Sequence, residues 1–251
     1  MTRILLVGAC GKMGVAVANC VKEDNELEIV GGVDFAEKLL DFPIFHDFSK
    51  VNTECDVIID FSNPVLLDGI LEYAKLNKIP AVIATTGYTD EQIKKIHEAA
   101  KEVPIFFTFN MSLGVNLLCN LAKKAAAILG NSFDIEIVEK HHNQKIDAPS
   151  GTAIMLANAV NEAFDDRLYY EYDRHSKRQK RTKNEIGIHS IRGGTIVGEH
   201  DVIFAGHDEV ITLSHSASSK GVFAAGAVKA AKFVVGKPAG LYEMSDVIKV
   251  D

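Results

Sequence analysis

The stretch RILLVGACGKMGVAVANCVKEDNELEIVGGVD spans residues 3–34 and decides the fold. Residues 3–7 form a short, mainly aliphatic run that stops at Gly8, which reads as a buried strand entering a turn. Residues 12–22 follow with helical spacing, and residues 27–33 return to strand composition and end at Asp34. Strand, turn, helix and strand within about 30 residues make one βαβ crossover. Gly8, Gly11 and Gly14 form G-x-x-G-x-x-G directly after the first strand. Glycine permits a sharp turn and lets backbone N–H groups approach a pyrophosphate, while the helix N-terminus adds partial positive charge. Cys10 stands where the stricter G-x-G-x-x-G motif has its second glycine, so the glycines alone carry little weight. Their place between strand and helix, with Asp34 twenty positions beyond Gly14, carries much more. A carboxylate at that strand end accepts hydrogen bonds from the adenosine ribose of NAD and repels a 2′-phosphate. Phe35 and Ala36 follow it, so no arginine offsets that repulsion, and Lys12 in the turn is the candidate phosphate partner.

Downstream the alternation continues. Residues 56–61, 80–84 and 105–109 read as strands, and residues 65–76 and 90–101 as helices. The expected fold is therefore α/β, a Rossmann-type doubly wound parallel sheet with helices on both faces. Ala84, Thr85 and Thr86 end one strand, where such folds bind ligands, although a helix cap explains the hydroxyls equally well. After Asn110 the pattern changes. A long apolar helix covers residues 115–129, an alternating strand 134–139, and a helix 151–164. Residues 186–216 then hold strands without intervening helices, which implies an antiparallel or mixed sheet in an inserted α+β domain. A small-residue helix at 221–235 follows.

Residues 139–153, EKHHNQKIDAPSGTA, carry the chemistry. Histidine exchanges protons near neutral pH, so His141 and His142 are candidate acid–base groups. Lys145 offers positive charge to a carboxylate or a developing anion. Ser150, Gly151 and Thr152 open a helix whose N–H groups and hydroxyls cradle an anion. Each part has a plainer explanation: a surface histidine pair, or a capped helix start. Together they describe a site for a small polyanionic acid that undergoes proton transfer. Adjacent histidines rarely face one ion, and no cysteine or third histidine shares their segment, so no metal is expected.

The pattern Glu-x-His-His-x-x-Lys-x-Asp-x-Pro-Ser-Gly-Thr-Ala closely resembles the signature of the dihydrodipicolinate reductases, also called 4-hydroxy-tetrahydrodipicolinate reductases. The likeness covers nearly the whole chain: the Gly8–Gly14 turn, Thr85-Thr86-Gly87, residues 110–116, Arg192-Gly193-Gly194 with Gly198-Glu199-His200, and residues 240–247. Together with the helix at 221–235, the family resemblance of the ending at residues 240–247 implies a dinucleotide-binding domain over 1–112, completed by 221–251, with a substrate-binding and oligomerisation domain over 113–220. Met111 stands where the family commonly has Phe, and Ala84 where it commonly has Gly. The resemblance implies NADH or NADPH bound over Gly8, Ala9, Cys10, Gly11, Lys12, Met13, Asp34, Ala84, Thr85, Thr86, Thr108, Phe109, Asn110 and Met111. It implies a dicarboxylate substrate held by His142, Lys145, Ser150, Gly151, Thr152 and Thr86, with His141 and Lys145 as proton donors. It further implies reduction to tetrahydrodipicolinate in lysine and diaminopimelate biosynthesis, and a homotetramer built through the second sheet. Fold alone does not separate this from another two-domain NAD(P)-dependent amino-acid dehydrogenase. His-His-x-x-Lys before Pro-Ser-Gly-Thr does, and a non-catalytic nucleotide sensor would not need those proton donors.

Composition agrees with such an enzyme. The 251 residues are 47% hydrophobic and 24% charged, an ordinary globular balance, and the net charge of −7 offers no general attraction to nucleic acid or anionic membrane. The basic segment 174–183 (RHSKRQKRTK) reads as a solvated loop rather than a nucleic-acid site. No run approaches the ~18 apolar residues of a membrane span, and the first residues are too short a run for a signal peptide. Cys10, Cys20, Cys55 and Cys119 lack metal or redox spacing and read as reduced thiols of a cytoplasmic protein.

Overall fold

The first strand is apolar at nearly every position because both of its faces are covered. In the computed structural model, which describes residues 1–248, β1 (Thr2–Val7) is followed by α1 (Lys12–Lys22), β2 (Leu27–Val33), β3 (Ile44–Phe45), β4 (Val57–Asp60), α2 (Leu67–Asn77), β5 (Ala81–Ile83), α3 (Asp90–Ala99) and β6 (Pro104–Phe107). Next come α4 (Leu113–Leu129), β7 (Asp134–His141), α5 (Gly151–Glu162), β8 (Tyr169–Glu171), β9 (Glu185–Arg192), β10 (Gly198–Ala205) and β11 (Val210–Ala217). The described chain ends with α6 (Gly221–Val234), β12 (Gly240–Tyr242) and α7 (Met244–Val247). Two units form. One comprises Met1–Leu113 together with the chain from Lys220 onward, the other Gly114–Ser219. Residues 249–251 of the expected range 221–251 lie outside the described residues.

The first unit holds a seven-stranded sheet in the order β12-β6-β5-β4-β1-β2-β3, with every pairing parallel. Alternate strand residues serve opposite faces. Ile4, Leu6, Val57, Ile59 and Val82 pack with Val17 and Val21 of α1 and with the alanine-rich face of α6. Leu5, Val7, Ile58, Ile83 and Ile105 pack with Ile70 of α2 and Ile96 of α3. Fully burying each such side chain contributes about 1.5–3 kcal/mol, and the doubled layer explains why these strands do not alternate in polarity. The order 3-2-1-4-5-6, with β12 added at the edge, reverses between β1 and β4. Ligands of doubly wound sheets bind at the carboxyl ends of strands at that reversal.

The second unit holds a mixed five-stranded sheet, β11-β10-β7-β9-β8. β10 is antiparallel to both β11 and β7, while β9 is parallel to β7 and β8. β7 and β10 alternate between buried and half-buried residues, so a single face is covered. That face packs Ile135, Ile137, Val202 and Phe204 against Leu118 and Ala122 of α4 and Leu156 and Val160 of α5.

One expectation needs correcting. Leu113–Ser132 is long and apolar enough, by length and composition, to cross a membrane. Its Val115, Leu118, Cys119, Ala122 and Ala126 form a buried face in the core of the second unit. The basic segment 174–183 is a largely exposed loop, as expected, and several of its cations are paired within the unit. Arg181 donates to Glu136 and Asp134 and to the carbonyls of Ile135 and Glu185, and Arg174 and Lys177 pair with Glu185 and Glu171. The acidic residues of β7 to β9 neutralise most of it.

Candidate functional site

The glycine turn sits at the carboxyl end of β1. Gly8 has φ +79°, and a Cβ there would lie 2.3 Å from the Phe61 carbonyl oxygen; one on Gly14 would lie 2.3 Å from the Gly8 carbonyl oxygen. Only glycine permits this approach of turn, helix and neighbouring strand end. Gly11 caps α1 without a side chain, and no side chain bonds the helix start. The Asp34 carboxylate accepts from the backbone N–H of Cys10 at 2.9 Å and of Ala36 at 2.9 Å. It is thereby fixed beside the turn with lone pairs to spare. These features fit a dinucleotide: a side-chain-free cradle, a helix start for the pyrophosphate and a carboxylate for the ribose. Lys12 is exposed. Lys38 instead brings its ammonium to the turn, 2.5 Å from the Cys10 carbonyl oxygen.

The other nucleotide candidates surround the ends of β5 and β6. Ala9, Ala84 and Met111 are buried, and Phe109 is exposed with its ring against Phe107. Thr108 bonds the backbone of Asn110. The Thr85 hydroxyl accepts from the Ser62 N–H at 2.8 Å, tying the end of β5 to the end of β4. Thr89, bonded by the N–H of Gln92, caps α3, so the cap does not explain Thr85 or Thr86. Sequence reasoning missed Asp60. It is fully buried and accepts from Ser62 and Tyr88, and burial pushes its carboxyl above the usual range against the pull of those bonds.

In the second unit, strand register assembles the candidate residues. His200 of β10 lies opposite Glu139 of β7, Arg192 of β9 opposite His141, and His215 of β11 opposite His200. Glu139 has no exposed surface and accepts from Nδ1 of His141 at 2.6 Å, both Nη atoms of Arg192 at 2.7 Å, and the Ser150 N–H at 3.1 Å. Ser150 caps α5, its hydroxyl accepting from the Ala153 N–H, and lies 3.0 Å from Nε2 of His200. Cap and anion cradle are thus compatible roles. Gly151 is exposed, and His142 and Thr152 are half-buried. Lys145 lies 2.8 Å from Asp147, whose carbonyl is held by Arg192. Backbone bonds from Gly193 to His141 and from Asn143 to Gly194 pin the loop after β7 to the loop after β9. No cluster of three or more metal-ligating side chains occurs among the described residues.

The charges in this cluster are settled by its surroundings. Burial would raise the Glu139 carboxyl, but the Arg192 fork and His141 outweigh it and hold it at about 2. Burial and the neighbouring His141 push His200 down to about 4, so it is neutral at pH 7. A histidine whose folded value is depressed stabilises the fold fully above its ordinary value and loses that contribution as pH falls toward the folded one. Melting temperature should therefore drop between about pH 6.5 and about pH 4. His200→Gln should flatten this dependence. Equal acid slopes in both proteins, measured by calorimetry, would exclude His200 as the source.

A dinucleotide-type unit and a mixed-sheet unit bearing a helix-start anion cradle with an ionisable cluster define a class, the two-unit nicotinamide-dependent oxidoreductases. Residues 2–111 match the family model described as dihydrodipicolinate reductase, N-terminus, and residues 114–248 the model described as dihydrodipicolinate reductase, C-terminus. The chain belongs to the dihydrodipicolinate reductase family. It is 54% identical to the 4-hydroxy-tetrahydrodipicolinate reductase of Caldanaerobacter subterraneus subsp. tengcongensis, over 99% of each chain. It is 51% identical to the enzyme of that name from Clostridium tetani, over 97% of this chain and 96% of that one. Among solved structures it resembles a dipicolinate-bound dihydrodipicolinate reductase from Paenisporosarcina sp. TG-14, with TM-score 0.83 and 26% identity, covering 99% of this chain and 100% of that one.

Proposed function

We propose that this chain reduces 4-hydroxy-tetrahydrodipicolinate to tetrahydrodipicolinate with NADH or NADPH, as a cytoplasmic enzyme of the diaminopimelate route to lysine. The observation that carries the proposal is the buried Glu139–His141 pair beside the Ser150 cap, because it joins a proton-transfer group to an anion cradle. When bound, the reduced nicotinamide supplies the hydride, and the first unit holds it as the cofactor domain through Gly8 to Met13, Asp34, the Ala84–Thr86 segment and the Thr108–Met111 turn. Ser150, Gly151 and Thr152 receive one substrate carboxylate at the start of α5. His142 and Lys145 serve the dianion, Lys145 as a point charge. His141 and Lys145 supply the proton, so the balance is one hydride and one proton added and one water lost. The test is a coupled assay in which pyruvate and aspartate semialdehyde form the substrate in situ while nicotinamide absorbance is followed. No substrate-dependent oxidation of either cofactor would reject the function.

The second unit serves both substrate binding and assembly. Among the described residues α4 and α5 pack on the same face of its sheet, and β11 is an edge strand with Val210 64% exposed. Open edges invite pairing with another copy. A homotetramer through strands between about residues 186 and 216 is expected. Light scattering that returns a monomer mass at micromolar concentration would contradict it.

A further inference from the structure

Glu139 and Arg192 lie outside the residues assigned above to substrate, cofactor or proton transfer, yet they occupy the centre of the cluster. A carboxylate with no exposed surface is costly to bury unless every lone pair is used. Here the two Nη atoms of Arg192, Nδ1 of His141 and the N–H of Ser150 converge on it, joined by the Ser190 side chain. Arg192 approaches as a planar fork, the geometry that fixes a carboxylate in orientation as well as in charge. The ionised Glu139 only accepts, so the His141 nitrogen 2.6 Å away must be the donor. Nδ1 therefore carries hydrogen whether the ring is charged or neutral. The proton that His141 gains or gives is confined to Nε2, which lies beside Gly198, where a Cβ would come within 3.1 Å of it.

We infer that Glu139, oriented by Arg192, is a positioning residue that holds His141 in one tautomer with Nε2 as its proton-transfer atom. The inference rests on the role given to His141 above. It assigns Glu139 no contact with substrate and no proton of its own. The same carboxylate acts where a buried acid orients a catalytic imidazole in a hydrolase triad, by fixing the ring rather than by taking its proton.

A double-mutant cycle tests it on the full-length protein. Glu139→Gln should lower kcat by roughly 10²-fold, within the range of losing a positioned acid–base group. In a His141→Ala background the same change should cost less than about twofold more, since its effect passes through the ring that is already gone. Side-chain nitrogen NMR of the histidines, with the His141 signals assigned by difference against His141→Ala, should show a single Nδ1–H tautomer in the parent and a mixture in Glu139→Gln. Glu139→Asp retains the charge for Arg192 but shortens the arm, and should fold and give an intermediate kcat if the glutamine variant does not fold. An equal loss of kcat in both backgrounds, or an unchanged tautomer in the folded Glu139 variants, would overturn the inference. Full turnover of His141→Ala by itself would remove His141 from the reaction, and the inference with it, a result separable from either of those.

Discussion

Replacing His141 or Lys145 with alanine should each reduce kcat by ~10²–10⁴-fold, the usual cost of losing a positioned general acid. The two variants should differ in the Michaelis constant. His141 is buried and anchored by Glu139, so its removal takes away a proton-transfer group and little else from the ground state. Lys145 is about four-fifths buried, and its ammonium pairs with the Asp147 carboxylate. Its loss should raise the substrate KM as well, because an uncompensated dianion then faces the helix start. Asp147 is held below the usual carboxylate range chiefly by its hydrogen bond from Lys145. It thus competes with an incoming carboxylate for the ammonium, and Asp147→Asn should lower the substrate KM modestly while leaving kcat near normal. Steady-state kinetics with saturating cofactor separates these outcomes. Near-normal kcat in either alanine variant removes that residue from the proton-transfer step.

The sequence was most legible where the determining interactions are local. The bounds of α1 and β2 follow from an aliphatic run, a glycine turn and a 3.6-residue period close together in the chain, and the structure places both as expected. β3, β8 and β12 were not foreseen. They are two or three residues long and exist because a neighbour's backbone is in register, as Gly240 is with Pro104. Nothing in so short a segment shows a period. The same limit applies to the site. Ser150 announces itself as a cap by its own neighbours. The pairing of Glu139 with Arg192, 53 positions away, depends on the register of β7 against β9. His200 reaches Ser150 through a third strand. The ion pairs of the exposed basic loop 174–183 escape sequence reading for that reason too, since its acidic partners Asp134 and Glu136 lie on a strand 47 and 45 residues before Arg181. Charge patterning along the chain reports on neighbours in sequence, and these charges have theirs across a sheet.

Cofactor choice should be decided by Asp34 and Lys38 acting against one another. In the wild type, NADH should be used at least as well as NADPH, with both accepted. Asp34 is positioned for the unmodified ribose, because its two bonds from Cys10 and Ala36 fix both oxygens beside the turn and leave further lone pairs for hydroxyl donors. A 2′-phosphate would meet that carboxylate directly. Lys12 was the cation expected to soften this repulsion, from its place in the turn. Lys38 also reaches the turn, with its ammonium on the carbonyl of Cys10, the residue whose N–H Asp34 holds, while Lys12 is exposed. A lysine gives a phosphate only a point-charge contact, less selective than an arginine fork. Hydrogen bonds to charged groups are worth about 1.5–3 kcal/mol, which is roughly a 10–100-fold change in affinity. Asp34→Ala should therefore shift the ratio of kcat/KM for NADPH over NADH upward by about that factor. Both absolute values should fall, since the turn loses its anchor at Cys10. Lys38→Ala should move the ratio the other way, at the expense of NADPH, while Lys12→Ala should change it little. Binding of each reduced cofactor, followed by fluorescence titration without substrate, gives the same comparison free of the chemical step. A strong wild-type preference for NADPH, or a ratio that Asp34→Ala leaves unmoved, would show that Asp34 only closes the turn and does not read the ribose.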